Sequence, residues 1–193
     1  MVKILAIQSS PNHDGLTARL AKAALQGAVA QGAEVELVNL NDLRIIPCMA
    51  CGQGWGHHFQ PGELKAWECV HQDDFAALQA KILAADGIVF STPVYFHDLS
   101  ESARVFLDRL RRCDWPLREN SRFRGKPAVL IAAAGGSGSG ALETGAQLEK
   151  FFMQFMSMKR VASLAVTRFN QELQLTAAEG AGRLLVEMAT TKK

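Results

Sequence analysis

A chain of 193 residues, 48% of them hydrophobic, suits one compact α/β domain spanning 1–193 and leaves little for a second. Its 21 basic and 19 acidic residues nearly cancel, so net charge offers no footprint for nucleic acid. No apolar run approaches the roughly 18 residues a membrane span needs. The opening "MVKILAIQ" is too short for a secretory hydrophobic segment, so a cytoplasmic location is expected, with the four cysteines as reduced thiols or metal ligands.

Taken in chain order, "VKILAI" (2–7) predicts a buried strand. The Ala- and Leu-rich stretch 16–31 predicts a helix stopped by Gly32. "EVELVNL" (34–40) predicts a second strand, and 41–72 reads as irregular. Asp73 or Asp74 then caps a helix ending near Ala85, followed by a third strand, "GIVFST" (87–92). Leu99, Ala103, Phe106, Leu107 and Leu110 share one helical face, with Asp98 and Glu101 spaced as a capping box. Arg and Lys are dense from Arg104 to Lys126, a pattern that fits a solvated face or a surface for an anion. "PAVLIAAA" (127–134) predicts strand four, 141–157 a helix anchored by Phe151, Phe152 and Phe155, and "RVASLAV" (160–166) strand five. Thr176 and Glu179 open a last helix to about Ala189.

Continuous apolar strands alternating with helices imply a parallel sheet covered on both faces. Right-handed crossovers make it doubly wound, and such sheets bind ligands beyond the carboxyl ends of their strands. Three loops therefore matter. "QSSPNHDGLT" (8–17) joins a strand to a helix N-terminus, where unpaired amides and partial positive charge favour an anion. Ser9, Ser10, Asn12 and Thr17 add short donors, and Gly15 allows close backbone approach. No Lys follows in the nucleoside-triphosphatase spacing, so the loop suits a monophosphate ester held without metal. "STPVYFHDLS" (91–100) offers Tyr95 and Phe96 as borders for a planar ligand and His97 as a donor. In "AAAGGSGSGA" (132–141) the glycines admit a ligand edge; its formal match to a dinucleotide fingerprint sits on the wrong strand and lacks the ribose-binding acid.

These three motifs, in this order, resemble the flavodoxin-like NAD(P)H-dependent FMN reductase and quinone reductase group over nearly the whole chain. "STPVYFHDLSESARVFLDR", ending in Asp108 and Arg109, is similar to that family's aromatic flavin loop and following helix. The resemblance implies a flavodoxin-like three-layer sandwich with a five-stranded parallel sheet in order 2-1-3-4-5, and bound FMN. It implies phosphate contacts from Ser9, Pro11, Asn12, Gly15, Leu16 and Thr17. Pro93, Val94, Tyr95 and Phe96 would line the isoalloxazine, with Gly135, Gly136 and Ser137 near its pyrimidine edge. It further implies NAD(P)H as co-substrate, a small-molecule acceptor (a quinone, free flavin, or azo or nitro compound) and a homodimer or higher homo-oligomer. Tyr95 and His97 are the candidate catalytic side chains, as groups that tune a reaction the cofactor performs.

The cysteine stretch "IPCMACGQGWGHHFQPGELKAWECVHQDDF" resembles the edges of the cluster loop of iron–sulfur flavoproteins. It departs from that pattern: Gly54 stands where a third closely spaced Cys is expected, and Cys113 lies far away. Three readings stand: thiols in a substrate-covering loop, an iron–sulfur cluster, or zinc at Cys48, Cys51 and Cys69 with a His. Trp55, Phe59 and Trp67 give the insert an aromatic character suited to a lid or a subunit contact. A non-enzymatic electron-transfer flavoprotein is the alternative to an enzyme.

Overall fold

In the computed structural model, residues 1–51, 69–114 and 121–191 are described. Strand β1 (Lys3–Gln8) lies in parallel between β2 (Glu34–Asn39) and β3 (Gly87–Tyr95). A two-residue strand β4 (Asp98–Leu99) folds back antiparallel on the end of β3. Strands β5 (Pro127–Ala134) and β6 (Lys159–Thr167) complete the parallel sheet, in order β2-β1-β3-β5-β6. Counting only the parallel strands, this is the expected 2-1-3-4-5.

Side chains alternate across a strand, so β1 serves two cores. Ile4 and Ala6 face a cluster with Leu20, Ala24 and Leu185, from α1 (Leu16–Ala30) and α5 (Gln171–Thr190). Leu5 and Ile7 face Phe75, Phe106 and Phe152 on the other side. That layer holds α2 (Phe75–Ala84), α3 (Glu101–Asp114) and the segment after α4 (Ala141–Glu149). Every residue of β5 is buried, as a central parallel strand covered on both faces requires. Helices α1 and α5 meet at glycines: a Cβ on Gly27 would run into the Glu179 carbonyl, and one on Gly182 into that of Ala24.

Three boundaries depart from the sequence reading. Asp98 does not begin a capping box with Glu101, because it belongs to β4; Ser100 takes the role, its Oγ accepting from the Ala103 amide at 3.3 Å. The helix expected over 141–157 becomes π-helical at Lys150–Phe155, where Phe151 and Phe152 are buried and Phe155 half-buried. Helix α5 begins at Gln171 rather than Thr176. The basic stretch is partly internal: Arg109 is buried, and the buried Lys126 ammonium donates to the carbonyls of Ile82, Leu83 and Ala85 at the end of α2. Trp55, Phe59, Trp67, Gly54, His57 and His58 lie outside the described residues.

Candidate functional site

A cavity of about 500 Å³ opens at the carboxyl ends of the strands, lined by Ser9, Pro11, Asn41, Val94, Tyr95, Phe96, Leu99, Ser100, Glu101 and Ser102. That size suits a cofactor-sized ligand. Five of the candidate residues, Ser9, Pro11, Val94, Tyr95 and Phe96, form part of its wall. Asn12, Gly15, Leu16 and Thr17 continue the same loop outside the wall, and Pro93 is buried within β3. Asn41, Ser100 and Ser102 were not among the candidates. The signals available were the polar pair Asn39 and Asn41 at the end of β2 and two alternating hydroxyls, Ser100 and Ser102, around the start of α3.

The first loop is built by its own side chains. Gln8 Nε2 donates to the Ser10 carbonyl at 3.0 Å, and Gln8 Oε1 accepts from the Ser10 amide at 2.8 Å. Asn39 Nδ2 reaches the same carbonyl at 3.1 Å, tying the end of β2 to the turn. The Asn12 amide donates to Ser10 Oγ at 3.1 Å and the Asp14 amide to Asn12 Oδ1 at 3.0 Å, two side-chain turns in succession. Helix α1 then starts at Gly15 with no side-chain cap and no acidic residue in its first turn. Its first amides are left for an anion, and the macrodipole favours one there. Ser9 and Thr17 are buried beside this end, and among the described residues no basic side chain lines the cavity wall. The donor set is amides and hydroxyls, which fits an FMN monophosphate.

The first and second loops are fastened together. Ser100 Oγ lies 2.8 Å from Ser9 Oγ, and Ser102 Oγ donates to the Ser9 carbonyl at 3.1 Å. Between β3 and β4 the chain reverses in two residues, with φ 49° at Phe96 and 64° at His97. A turn of this type ordinarily uses Asn-Gly; two bulky residues here store about 1 kcal/mol or more each. Phe96 stands fully exposed at its tip and Tyr95 is 46% exposed. The third loop closes against the turn: Ser139 Oγ lies 3.3 Å from His97 Nε2, and Thr144 Oγ1 donates to the His97 carbonyl at 3.4 Å. Gly135 and Gly136 have open space where a Cβ would sit, and Ser137 is exposed beside them. These positions can admit the edge of a ring.

Below the second loop, Arg109 on α3 is buried with a bidentate grip on Asp73, which precedes α2. It also donates to the Ile46 carbonyl at 3.0 Å and to Cys69 Sγ at 3.1 Å, and lies 4.3 Å above the Phe75 ring. Burial alone would raise the Asp73 carboxyl, but Arg109 and the amides of Ile46 and Phe75 outweigh it and hold it down to about 2. One arginine thus anchors both edges of the cysteine stretch. Among the described residues no group of three or more Cys, His, Asp or Glu is placed to hold a metal ion. The Cys69 sulfur accepts from the Arg109 guanidinium.

The profile of NADPH-dependent FMN reductases matches residues 2–171. The chain is similar to an iron–sulfur flavoprotein of Methanocaldococcus jannaschii, 29% identical over 152 residues, covering 79% of this chain and 72% of that protein. A second iron–sulfur flavoprotein, of Methanosarcina thermophila, is 28% identical over 146 residues, 74% of this chain and 69% of its own. Among solved structures, a flavone reductase superposes with a TM-score of 0.71 at 22% identity, over 98% of this chain and 63% of that reductase. An NAD(P)H:quinone oxidoreductase from Methanothermobacter marburgensis gives 0.65 at 16% identity, over 95% of each chain. The structural likenesses show a flavodoxin-like fold. No described helix is long and apolar enough to cross a membrane. The profile match spans most of the sequence, and the anion-ready helix start and the cavity beside it agree with it: the chain belongs to the NADPH-dependent FMN reductase family of FMN-binding oxidoreductases.

Proposed function

We propose that the protein is an FMN-dependent NAD(P)H oxidoreductase acting on small flat acceptors such as quinones, free flavins, or azo and nitro compounds. The observation that carries this reading is the uncapped, acid-free start of α1 opening beside a cavity walled by Tyr95 and Phe96. FMN, when bound, would supply the redox chemistry between a nicotinamide coenzyme and the acceptor. The chain's own residues bind and orient. The amides of Leu16 and Thr17, with Ser9, Pro11, Asn12 and Gly15, take the phosphate; Pro93, Val94, Tyr95 and Phe96 border the ring; Gly135, Gly136 and Ser137 meet its far edge. Tyr95 and His97 tune the site, His97 by fixing the third loop through Ser139.

Exposed Phe96, Leu142 and Phe169 follow β3, β5 and β6 on the edge where the cavity opens, an apolar rim suited to the homodimer or higher homo-oligomer of this reading. Steady oxidation of NADH or NADPH by FMN-loaded protein with a quinone, and no second protein, tests the proposal. A rate that appears only when an electron-carrier protein is added supports the electron-transfer reading instead.

A further inference from the structure

The cysteines are the chemistry this function leaves unused. Cys69 is half-buried and packs against the core that contains Cys113, near the end of α3. Arg109 and Cys113 are four residues apart on that helix, which puts them on one face. Arg109 Nη2 donates to Cys69 Sγ at 3.1 Å, and Cys113 lies close enough to Cys69 for the two thiols to interact electrostatically. One half-buried cysteine, one guanidinium and one buried cysteine, distant in sequence, thus come together.

We propose that Cys69 and Cys113 form a thiol–disulfide exchange site for low-molecular-weight disulfides, with Cys69 attacking and Cys113 resolving. A guanidinium aimed at a sulfur favours attack through that sulfur. The Cys69 thiol gives its proton to solvent and its Sγ attacks one sulfur of a small disulfide RSSR, breaking its S–S bond, expelling RS⁻ and forming a Cys69–S–S–R mixed disulfide. The Cys113 thiol then gives its proton to solvent, attacks Cys69 Sγ and expels the second RS⁻. Two protein thiols are oxidised to one disulfide, and RSSR is reduced to two thiols. Burial, with the Cys69 and Cys48 sulfurs nearby, pushes the Cys113 thiol up to about 12. The order follows burial: Cys69 is half-buried and Cys113 is buried.

The test incubates reduced protein with glutathione disulfide, blocks the remaining thiols and maps peptides by mass, a readout independent of flavin and nicotinamide. The expected product is a peptide pair joined through Cys69 and Cys113, formed also by Cys48→Ser. Cys113→Ser, and Cys113→Ala should serine disturb packing, stop at a glutathione adduct on Cys69; Cys69→Ser takes up none at Cys113. The proposal is overturned if both thiols stay open to the blocking reagent. A bond joining Cys48 to Cys51 instead overturns it too, as does iron or zinc held by these cysteines in fresh protein.

Discussion

Gly140 and His97 approach so closely that a Cβ at Gly140 would stand 2.6 Å from the His97 Cα. The two residues belong to different loops, and φ at Gly140 is +84°. Replacement by alanine meets both a backbone clash and a left-handed conformation. Gly140→Ala is expected to cost about 2 kcal/mol of stability or more. It should also weaken FMN binding by parting the second and third loops. Thermal unfolding and flavin-fluorescence titration check the two effects, and an unchanged affinity would separate this contact from the site.

The Phe96–His97 turn gives a prediction of opposite sign for stability. Phe96→Asn with His97→Gly supplies residues that accept positive φ, and should raise stability by about 1 kcal/mol. The same pair removes an exposed aromatic ring and the Ser139 contact, so quinone turnover should fall several-fold. A faster unfolding variant, or an unaltered rate, runs against this account.

At the phosphate loop, Asn12→Glu sets a carboxylate at the mouth of the first turn without touching the core, since Asn12 is exposed. FMN affinity should drop at least tenfold, about 1.4 kcal/mol. Circular dichroism should stay as in the parent protein. Equal affinity in the two proteins refutes the phosphate assignment.

The Arg109–Asp73 pair predicts a pH dependence. Asp73 ionises at about 2 in the fold against an ordinary 3.8. A depressed carboxyl stabilises the fold above its unfolded value and loses that contribution as pH falls through its folded one. The two side chains are 1% and 0% exposed, so the pair is worth about 2 kcal/mol near neutrality. Asp73→Asn leaves Arg109 without a counter-charge and should cost about 3 kcal/mol at pH 7. The gap between variant and parent in urea denaturation should narrow as pH drops from about 5 toward 2. A gap independent of pH contradicts the pairing.

The sheet was legible because β1, β3 and β5 are apolar runs and β2 alternates, and β5 was read to the residue. What escaped depends on tertiary contact. The start of α5 was missed because residues 171–175 carry polar side chains and an exposed Leu173, so no apolar stripe marks them. The π-helical segment goes with seating Phe152 against Phe90 and Phe151 against Phe152, which periodicity cannot express. Asn41 is recruited to the cavity by the path of the chain after β2, and Ser100 displaced Asp98 as cap because a two-residue turn took Asp98 into β4. Arg109 did leave a trace: a charged residue beside the buried stripe of Phe106, Leu107 and Leu110. Its partner was visible only as one of two candidate caps, Asp73 and Asp74. In the structure Asp73 both accepts from the Phe75 amide at 3.2 Å and binds Arg109.

The measurement nearest the centre of the account is the visible spectrum of freshly purified protein, followed by titration with FMN. A flavin spectrum, or saturable quenching of added FMN at one equivalent per chain, is the predicted result. Colourless protein that leaves added FMN fully fluorescent, while folded by circular dichroism, would contradict it.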